Sequence, residues 1–223
     1  GGKVDSWPDG RGRKLYLNVA ERSLDEKSPC RTRKALAAEY ISDPENPIPY
    51  YEKVFVQKKR DKAYMASDQS WVEGRSDLLC FKGEPQRDTL RLVGPLRVGL
   101  KLRQSSPDAD YIVLLLDEWP DGRQMLIRGD VMPARFRKGF GRPSYVKADR
   151  KFSLEFSLND IAHYLMPGHR LVLHIQSSWY PLVAMNPQSA PKNDLEAEAE
   201  DYKKARISVL EGSWIEIPAI QLQ

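Results

Sequence analysis

The feature that most constrains this chain is an alternation of apolar and polar residues along several short runs. Phe152, Leu154, Phe156 and Leu158 alternate with Lys151, Ser153, Glu155 and Ser157. The same pattern occurs at Leu15, Leu17 and Val19, at Val98, Leu100 and Leu102, and at Leu171, Leu173 and Ile175. A period of two sends successive side chains to opposite faces of a strand, so each run buries one face and wets the other, as antiparallel sheets allow. Tyr111 to Leu116 is apolar on both faces and reads as a central strand. Ser106-Pro107-Asp108, Pro120-Asp121-Gly122 and Pro167-Gly168 supply turns between the runs. Helical signal is confined to Asn193–Ala205, with Asp194 as cap and Glu200 four residues before Lys204, and to a shorter turn over Leu158–Leu165 capped by Asn159 or Asp160. The expected fold is all-β, a jelly-roll β-sandwich with one short helix near the C-terminus.

A chain of 223 residues with 41% hydrophobic residues fits one domain, 1–223. Residues 1–64 are richer in proline and charge and read as an extended lead-in that wraps the sandwich and adds edge strands. The 35 cations against 31 anions leave a net charge of only +4. Recognition of nucleic acid would need the cations gathered on one face. The two densest stretches, Lys53 to Lys62 and Arg135-Phe136-Arg137-Lys138 with Arg142, lie among Gly, Asp and Gln as solvated loops do, so no nucleic-acid partner is expected. No run approaches the roughly 20 apolar residues of a membrane span, and Gly1-Gly2-Lys3-Val4-Asp5 lacks the apolar core of a signal peptide. A soluble chain is expected. Cys30 and Cys80 make no disulfide framework. Cys80, inside Leu78-Leu79-Cys80-Phe81, reads as a buried small hydrophobe.

Catalytic apparatus is not legible. The nearest approach to a G-x-S-x-G nucleophile elbow, Gly74-Arg75-Ser76-Asp77-Leu78, lacks the second glycine and precedes a strand, so Ser76 reads as a loop hydroxyl. His169 and His174 are five apart on a strand and face opposite ways, and His163 falls in a turn with no second histidine at ligand spacing. Asp108, Asp110, Asp117 and Asp121 invite a calcium reading, but turn formation accounts for them. Trp71, Trp119, Trp179 and Trp214 fit either a sugar-stacking platform or core and interface packing. No catalytic residue, metal ligand or cofactor is assigned.

Taken in order, the motifs resemble a known series: Asp43-Pro44-Glu45-Asn46-Pro47-Ile48-Pro49-Tyr50, Asp68-Gln69-Ser70-Trp71, Asp108-Ala109-Asp110-Tyr111, Leu116-Asp117-Glu118-Trp119-Pro120-Asp121-Gly122, Arg135-Phe136-Arg137, Pro167-Gly168-His169-Arg170, Ser178-Trp179-Tyr180-Pro181 and Asn186-Pro187-Gln188. The series is similar to the C-terminal, non-catalytic domain of the X-Pro dipeptidyl-peptidase and cocaine esterase (CocE/NonD) hydrolases. Its last third resembles the α-amino-acid ester hydrolase and glutaryl-7-aminocephalosporanic-acid acylase branch. The resemblance implies a galactose-binding-domain-like jelly roll at the end of a bacterial serine hydrolase, cytoplasmic or periplasmic, whose triad lies in an upstream α/β-hydrolase domain. That domain is the implied partner, with a homo-oligomer as a further possibility.

The same resemblance implies that the segment after the proline motif approaches the active-site cleft, which makes Tyr50, Tyr51 and Trp179 the candidates for the cleft or the domain interface. Pro44, Pro47 and Pro49 stiffen the approach, and Asp68 and Arg75 have the charges to pair across a loop. A free-standing carbohydrate-binding module of similar fold is the alternative. The chain alone is expected to turn over no ester or X-Pro substrate.

Overall fold

The computed structural model describes residues 12–28, 36–52, 65–191 and 196–221. It is all-β. In chain order the strands are β1 (Arg13–Asn18), β2 (Ser23–Asp25), β3 (Ala37–Ser42), β4 (Leu78–Lys82), β5 (Leu90–Gln104), β6 (Asp110–Glu118), β7 (Gln124–Pro133), β8 (Phe152–Leu165), β9 (Arg170–Gln176), β10 (Ala205–Leu210), β11 (Trp214–Ile217) and β12 (Ala219–Gln221). Hydrogen bonds link them in the order β3-β10-β5-β11-β1-β2-β4-β9-β6-β7. This continuous path folds over on itself as a sandwich, with β1 and β2 carrying it from one layer to the other.

Two strands organise the layers. In the first, β5 pairs with β8 along one edge and with β12, β11 and β10 in turn along the other. In the second, β6 lies between β9 and β7. Alternation decides what each buries. Leu92, Leu96, Val98, Leu100 and Leu102 of β5 meet Tyr111, Val113 and Leu115 of β6, Phe81 of β4 and Leu171, Leu173 and Ile175 of β9 in one apolar core. Leu154, Phe156 and Leu158 of β8 join it, as their spacing predicts. Every residue of β6 is buried, in agreement with its two-sided apolar run.

Neither expected helix is formed among the described residues. Where Asn193–Ala205 was expected to be helical, the described part holds a single 3-10 turn, Ala199–Asp201, closed by a reciprocal capping box between Glu198 and Asp201, and Ala205 already begins β10. The stretch offers almost no apolar stripe at helical spacing, and propensity without a buried face does not sustain a helix. Residues 193–195 of that expectation lie outside the described set. The second expected turn, Leu158–Leu165, is the second half of β8. Asn159, expected as a cap, instead takes a left-handed conformation (φ 66°) where the β5/β8 register shifts. Asparagine tolerates that conformation better than most residues, so the same residue type serves a bulge here. His163 therefore lies on a strand.

Candidate functional site

The sequence candidates converge on the outer face of β6 and β9. Ile112, Leu114 and Leu116 of β6 and Val172 of β9 point away from the sandwich core. Tyr50 and Trp179 close over them, with Tyr51, Leu126, Val131, Leu182 and Val183 packed around. Gly129 on β7 leaves room for this cover, since an added Cβ would stand 2.4 Å from Leu114 Cδ2 and 3.4 Å from the Trp179 ring.

Backbone pairing holds the cover in place. The proline segment runs parallel to the residues after β9, with a bridge between Pro49 and Tyr180. Ser178 Oγ accepts from Ile48 N at 2.8 Å, Ile48 O from Tyr180 N at 2.9 Å, and Tyr180 O from Tyr50 N at 2.9 Å. The Tyr180–Pro181 peptide is cis. Proline's fixed φ presets an extended backbone, which suits this short ladder. The result sorts the three candidates. Tyr50 (9% exposed) and Trp179 (7%) are buried in the layer, Tyr51 is half-buried, and Tyr180, which the sequence did not single out, is 47% exposed at the rim. The tyrosine rings of Tyr50 and Tyr51 lie 6.3 Å apart at 40°.

A second segment covers the β4 side of the face. Ile48 and Val72 pack on Leu78, with Trp71 and Cys80 beside them. Asp68 anchors this segment by accepting from Gln124 N at 2.8 Å, Ser70 N at 2.9 Å and Ser70 Oγ at 2.7 Å. Burial opposes ionisation of Asp68, yet these bonds hold its carboxyl below the usual range. The expected Asp68–Arg75 pair does not form. Arg75 instead grips Asp77 through Nε at 2.8 Å and Nη2 at 2.7 Å, because Asp77 is two residues away on the same turn. Glu118 ties the segment to the sheet. It accepts from Lys82 at 2.9 Å, Gln124 at 2.7 Å and Arg170 at 2.6 Å, while Glu73 also pairs with Lys82. Burial raises the Glu118 carboxyl, but the three donors outweigh it and the net shift is downward.

Beneath this cover lie polar groups with no partner. His174 is fully buried and neither ring nitrogen makes a hydrogen bond. Burial, reinforced by the Lys82 charge, lowers it to about 4, so it is neutral near pH 7. Cys80, its cross-strand neighbour, is pushed up to about 12, chiefly by burial and then by Glu73. A neutral imidazole beside a thiol that stays protonated is no nucleophilic pair. Cys80 thus behaves as the small hydrophobe its sequence context predicts.

The remaining motifs form two further clusters. Asp108 is fully buried and accepts from Arg135 N at 2.9 Å, from the Arg135 guanidinium and from Asn186 Nδ2 at 2.9 Å. Asn186 also donates to Asp110 at 2.8 Å. Three separate sequence motifs are therefore one buried lock, and Arg135 is not the solvated loop cation its neighbours implied. At the opposite ends of β6 and β8, Asp117 accepts from His163 Nε2 at 3.0 Å and His169 Nδ1 at 2.8 Å. The Trp119 ring lies 5.4 Å from that of His169, tilted by 37°, and the Arg123 guanidinium is 4.3 Å from the Trp119 ring. The short connection from β8, which pairs with β5, to β9, which pairs with β6, makes this meeting, which spacing along either strand could not disclose. Among the described residues no group of three or more His, Cys, Asp or Glu is arranged to hold a metal ion. The four tryptophans do not form one platform: Trp214 lies under Lys14, 4.1 Å from its ammonium, on the other layer. The Lys53–Lys62 stretch lies outside the described residues apart from its preceding turn.

Residues 3–213 match the X-Pro dipeptidyl-peptidase C-terminal non-catalytic domain. The cocaine esterase of Rhodococcus sp. (strain MB1 Bresler) is 26% identical over 142 residues, which are 64% of this chain and 24% of that protein. The crystal structure of an aminopeptidase from a marine sediment archaeon, Thaumarchaeota archaeon, superposes with a TM-score of 0.90 at 29% identity, over 99% of this chain and 39% of that one. An α-amino acid ester hydrolase superposes with a TM-score of 0.86 at 28% identity, over 98% of this chain and 39% of that one. The chain thus spans well under half the length of these relatives.

Proposed function

The chain belongs to the X-Pro dipeptidyl-peptidase C-terminal non-catalytic domain family, and on that premise we propose that it is the structural, cleft-shaping part of a serine hydrolase acting on amide or ester bonds. The catalytic serine, acid and histidine belong in this reading to an α/β-hydrolase domain encoded upstream, which is the chain's partner. Small acyl compounds, amino esters and X-Pro peptides are the substrate classes. Similarity to an aminopeptidase and to an α-amino acid ester hydrolase supports amide and ester bonds respectively.

The observation that carries the proposal is the cover on β6 and β9. It gathers Tyr50, Tyr51 and Trp179 in one layer and ends at a rim where Tyr51 is half-buried and Tyr180 is 47% exposed. Aromatic residues with an apolar body and a polar tip suit a face that is dry at its centre and wet at its edge. Tyr50 and Trp179 brace this face from beneath, while Tyr51 and Tyr180 meet the catalytic domain or the substrate. A homo-oligomer would use a different surface.

The test is made in the full-length protein. Its gene should encode a G-x-S-x-G elbow before this domain. Tyr51→Ala and Tyr180→Ala should change kcat/KM on amino-ester or X-Pro substrates by about tenfold, the scale of one lost aromatic contact, and Tyr180→Ala should do so without altering the stability of the domain. Unchanged kinetics in both variants, or no hydrolase elbow upstream, would overturn the proposal.

A further inference from the structure

One opening serves none of the networks described so far. It lies beside the start of β9, the opposite end of that strand from the aromatic rim. β2 and β4 share a parallel bridge at Ser23 and Lys82. Past that bridge the two chains run on as residues 25–28 and 83–86, and both segments line an open-sided cavity of about 570 Å³. Its floor is the end of the inner core: Leu15 of β1, Leu24 of β2, Leu90 of β5, Leu171 of β9 and Ile217 of β11. Leu15 keeps 8% exposure, Leu24 5% and Leu90 7%, whereas Leu17 and Leu92, two residues further along β1 and β5, keep none. The inner core is therefore reached from outside at this point.

The walls are polar, and most of their charge is already committed. Asp25 accepts from Asn18 Nδ2 at 3.0 Å and Ser23 Oγ at 2.8 Å, and Glu26 pairs with Arg13. One charge of each sign is left over. Lys27 on the first segment and Glu84 on the second are exposed, and neither charged group has a partner among the described residues. The second segment is fixed along β9, since Gly83 N donates to Leu171 O at 2.8 Å and Gln86 N to His169 O at 2.8 Å.

We propose that this cavity binds short peptides with free termini and apolar side chains. Its volume is in the range of small-molecule sites, and it combines an apolar floor with a few polar groups, as such sites do. The side chains cover the exposed end of the core and gain in proportion to the apolar area removed from water. The peptide ammonium faces Glu84 and its carboxylate faces Lys27. A fatty acid would meet Lys27 alone and an alkylamine Glu84 alone, whereas a zwitterion with an apolar body meets both and the floor. The backbone bonds that fix the second wall spare the site part of the ordering cost of binding.

Calorimetric titration of the chain with the dipeptide leucylphenylalanine tests this. Saturable binding is expected with a dissociation constant of about 0.1–1 mM. Glycylglycine, which has nothing to lay on the floor, should give no saturable heat. Blocking either terminus of leucylphenylalanine, by N-acetylation or C-amidation, should weaken binding about fivefold, the scale of one exposed ion pair. Glu84→Gln should abolish the preference for the free amine while keeping that for the free carboxylate, and Lys27→Gln should do the reverse. Both residues are exposed, and an unchanged circular dichroism melt shows that each variant keeps the fold. The absence of saturable binding up to about 10 mM dipeptide overturns the proposal. So does glycylglycine binding as tightly as leucylphenylalanine, or a preference for the free amine that survives Glu84→Gln. None of these outcomes bears on the role proposed for the Tyr51–Tyr180 rim, which is read by kinetics of the full-length protein.

Discussion

The two faces of β6 are both buried, yet by different means. Tyr111, Val113 and Leu115 face another sheet layer, and their surroundings are almost wholly apolar. Ile112, Leu114 and Leu116 face loops, and the same layer contains His174, Gln176 and Trp71 with buried atoms that lack partners. Sheet packed on sheet satisfies backbone groups within each layer and presents only side chains to the other. Loops laid on a sheet bring their own backbone and polar side chains, so each must find a partner or bear a cost. The inner face is built for stability. The outer face gives up some of it.

The sharpest test of this difference is truncation on each side. Phe81 is fully buried in the inner core, and Phe81→Ala should destabilise the chain by about 3–5 kcal/mol in denaturant unfolding. An effect below that of an outer-layer truncation such as Leu182→Ala would break the contrast. The next effect concerns acid. His174 titrates at about 4 in the fold and near 6.5 when unfolded. Between those values the unfolded chain holds a proton that the folded chain does not. The contribution is therefore fully present above pH 6.5 and is lost as pH falls toward 4, on the order of 3 kcal/mol in all. Comparing urea midpoints of the chain and His174→Leu across this range checks it. The variant should lose that part of the slope, and equal slopes would show that His174 is not the group that titrates.

A smaller effect is expected on the other layer, where cover is thin. A Cβ added at Gly99 would stand 2.4 Å from Trp214, a half-buried ring with Lys14 above it. Gly99→Ala should displace that ring and cost about 1–3 kcal/mol, visible as a red shift of Trp214 fluorescence. An unshifted spectrum would mean that the ring is not displaced. The least effect is expected at the rim. Tyr180→Ala should alter unfolding by less than about 0.5 kcal/mol, a value that separates rim from cover.

The same contrast governs what could be read from the sequence. Period-two spacing identified Leu154, Phe156, Leu173 and Ile175 as inner-core residues because one face of each strand packs on another strand. It also marked β6 as buried on both sides. It could not say that the second side would be covered by the proline segment, since that depends on contacts between Ile48 and Ser178 across 130 positions. The motif series offered Tyr50, Tyr51 and Trp179 as candidates and contained Tyr180 without singling it out, because exposure at the rim is set by how the ladder is laid on the sheet. Asp68 was matched to the wrong cation because opposite charge alone does not choose among partners; the nearer Asp77 captured Arg75. The Asp117 cluster and the Asn186 lock were unreadable for the same reason, being meetings of distant segments. Helix was expected at 193–205 from local charge pairs, a weak prior where no apolar stripe is available to bury.

The pairing of β1 has a consequence for how the chain is made. Arg13–Tyr16 bond to Trp214–Ile217, so the ribosome delivers the first strand about 200 residues before its neighbour. Meanwhile β5 waits for β8, β10, β11 and β12. Closing such distant pairs costs loop entropy before any contact is gained, which makes formation slow. Until those partners are made the edges of β1 and β5 stand open to foreign strands, and β11 and β12 are among the strands that seal them.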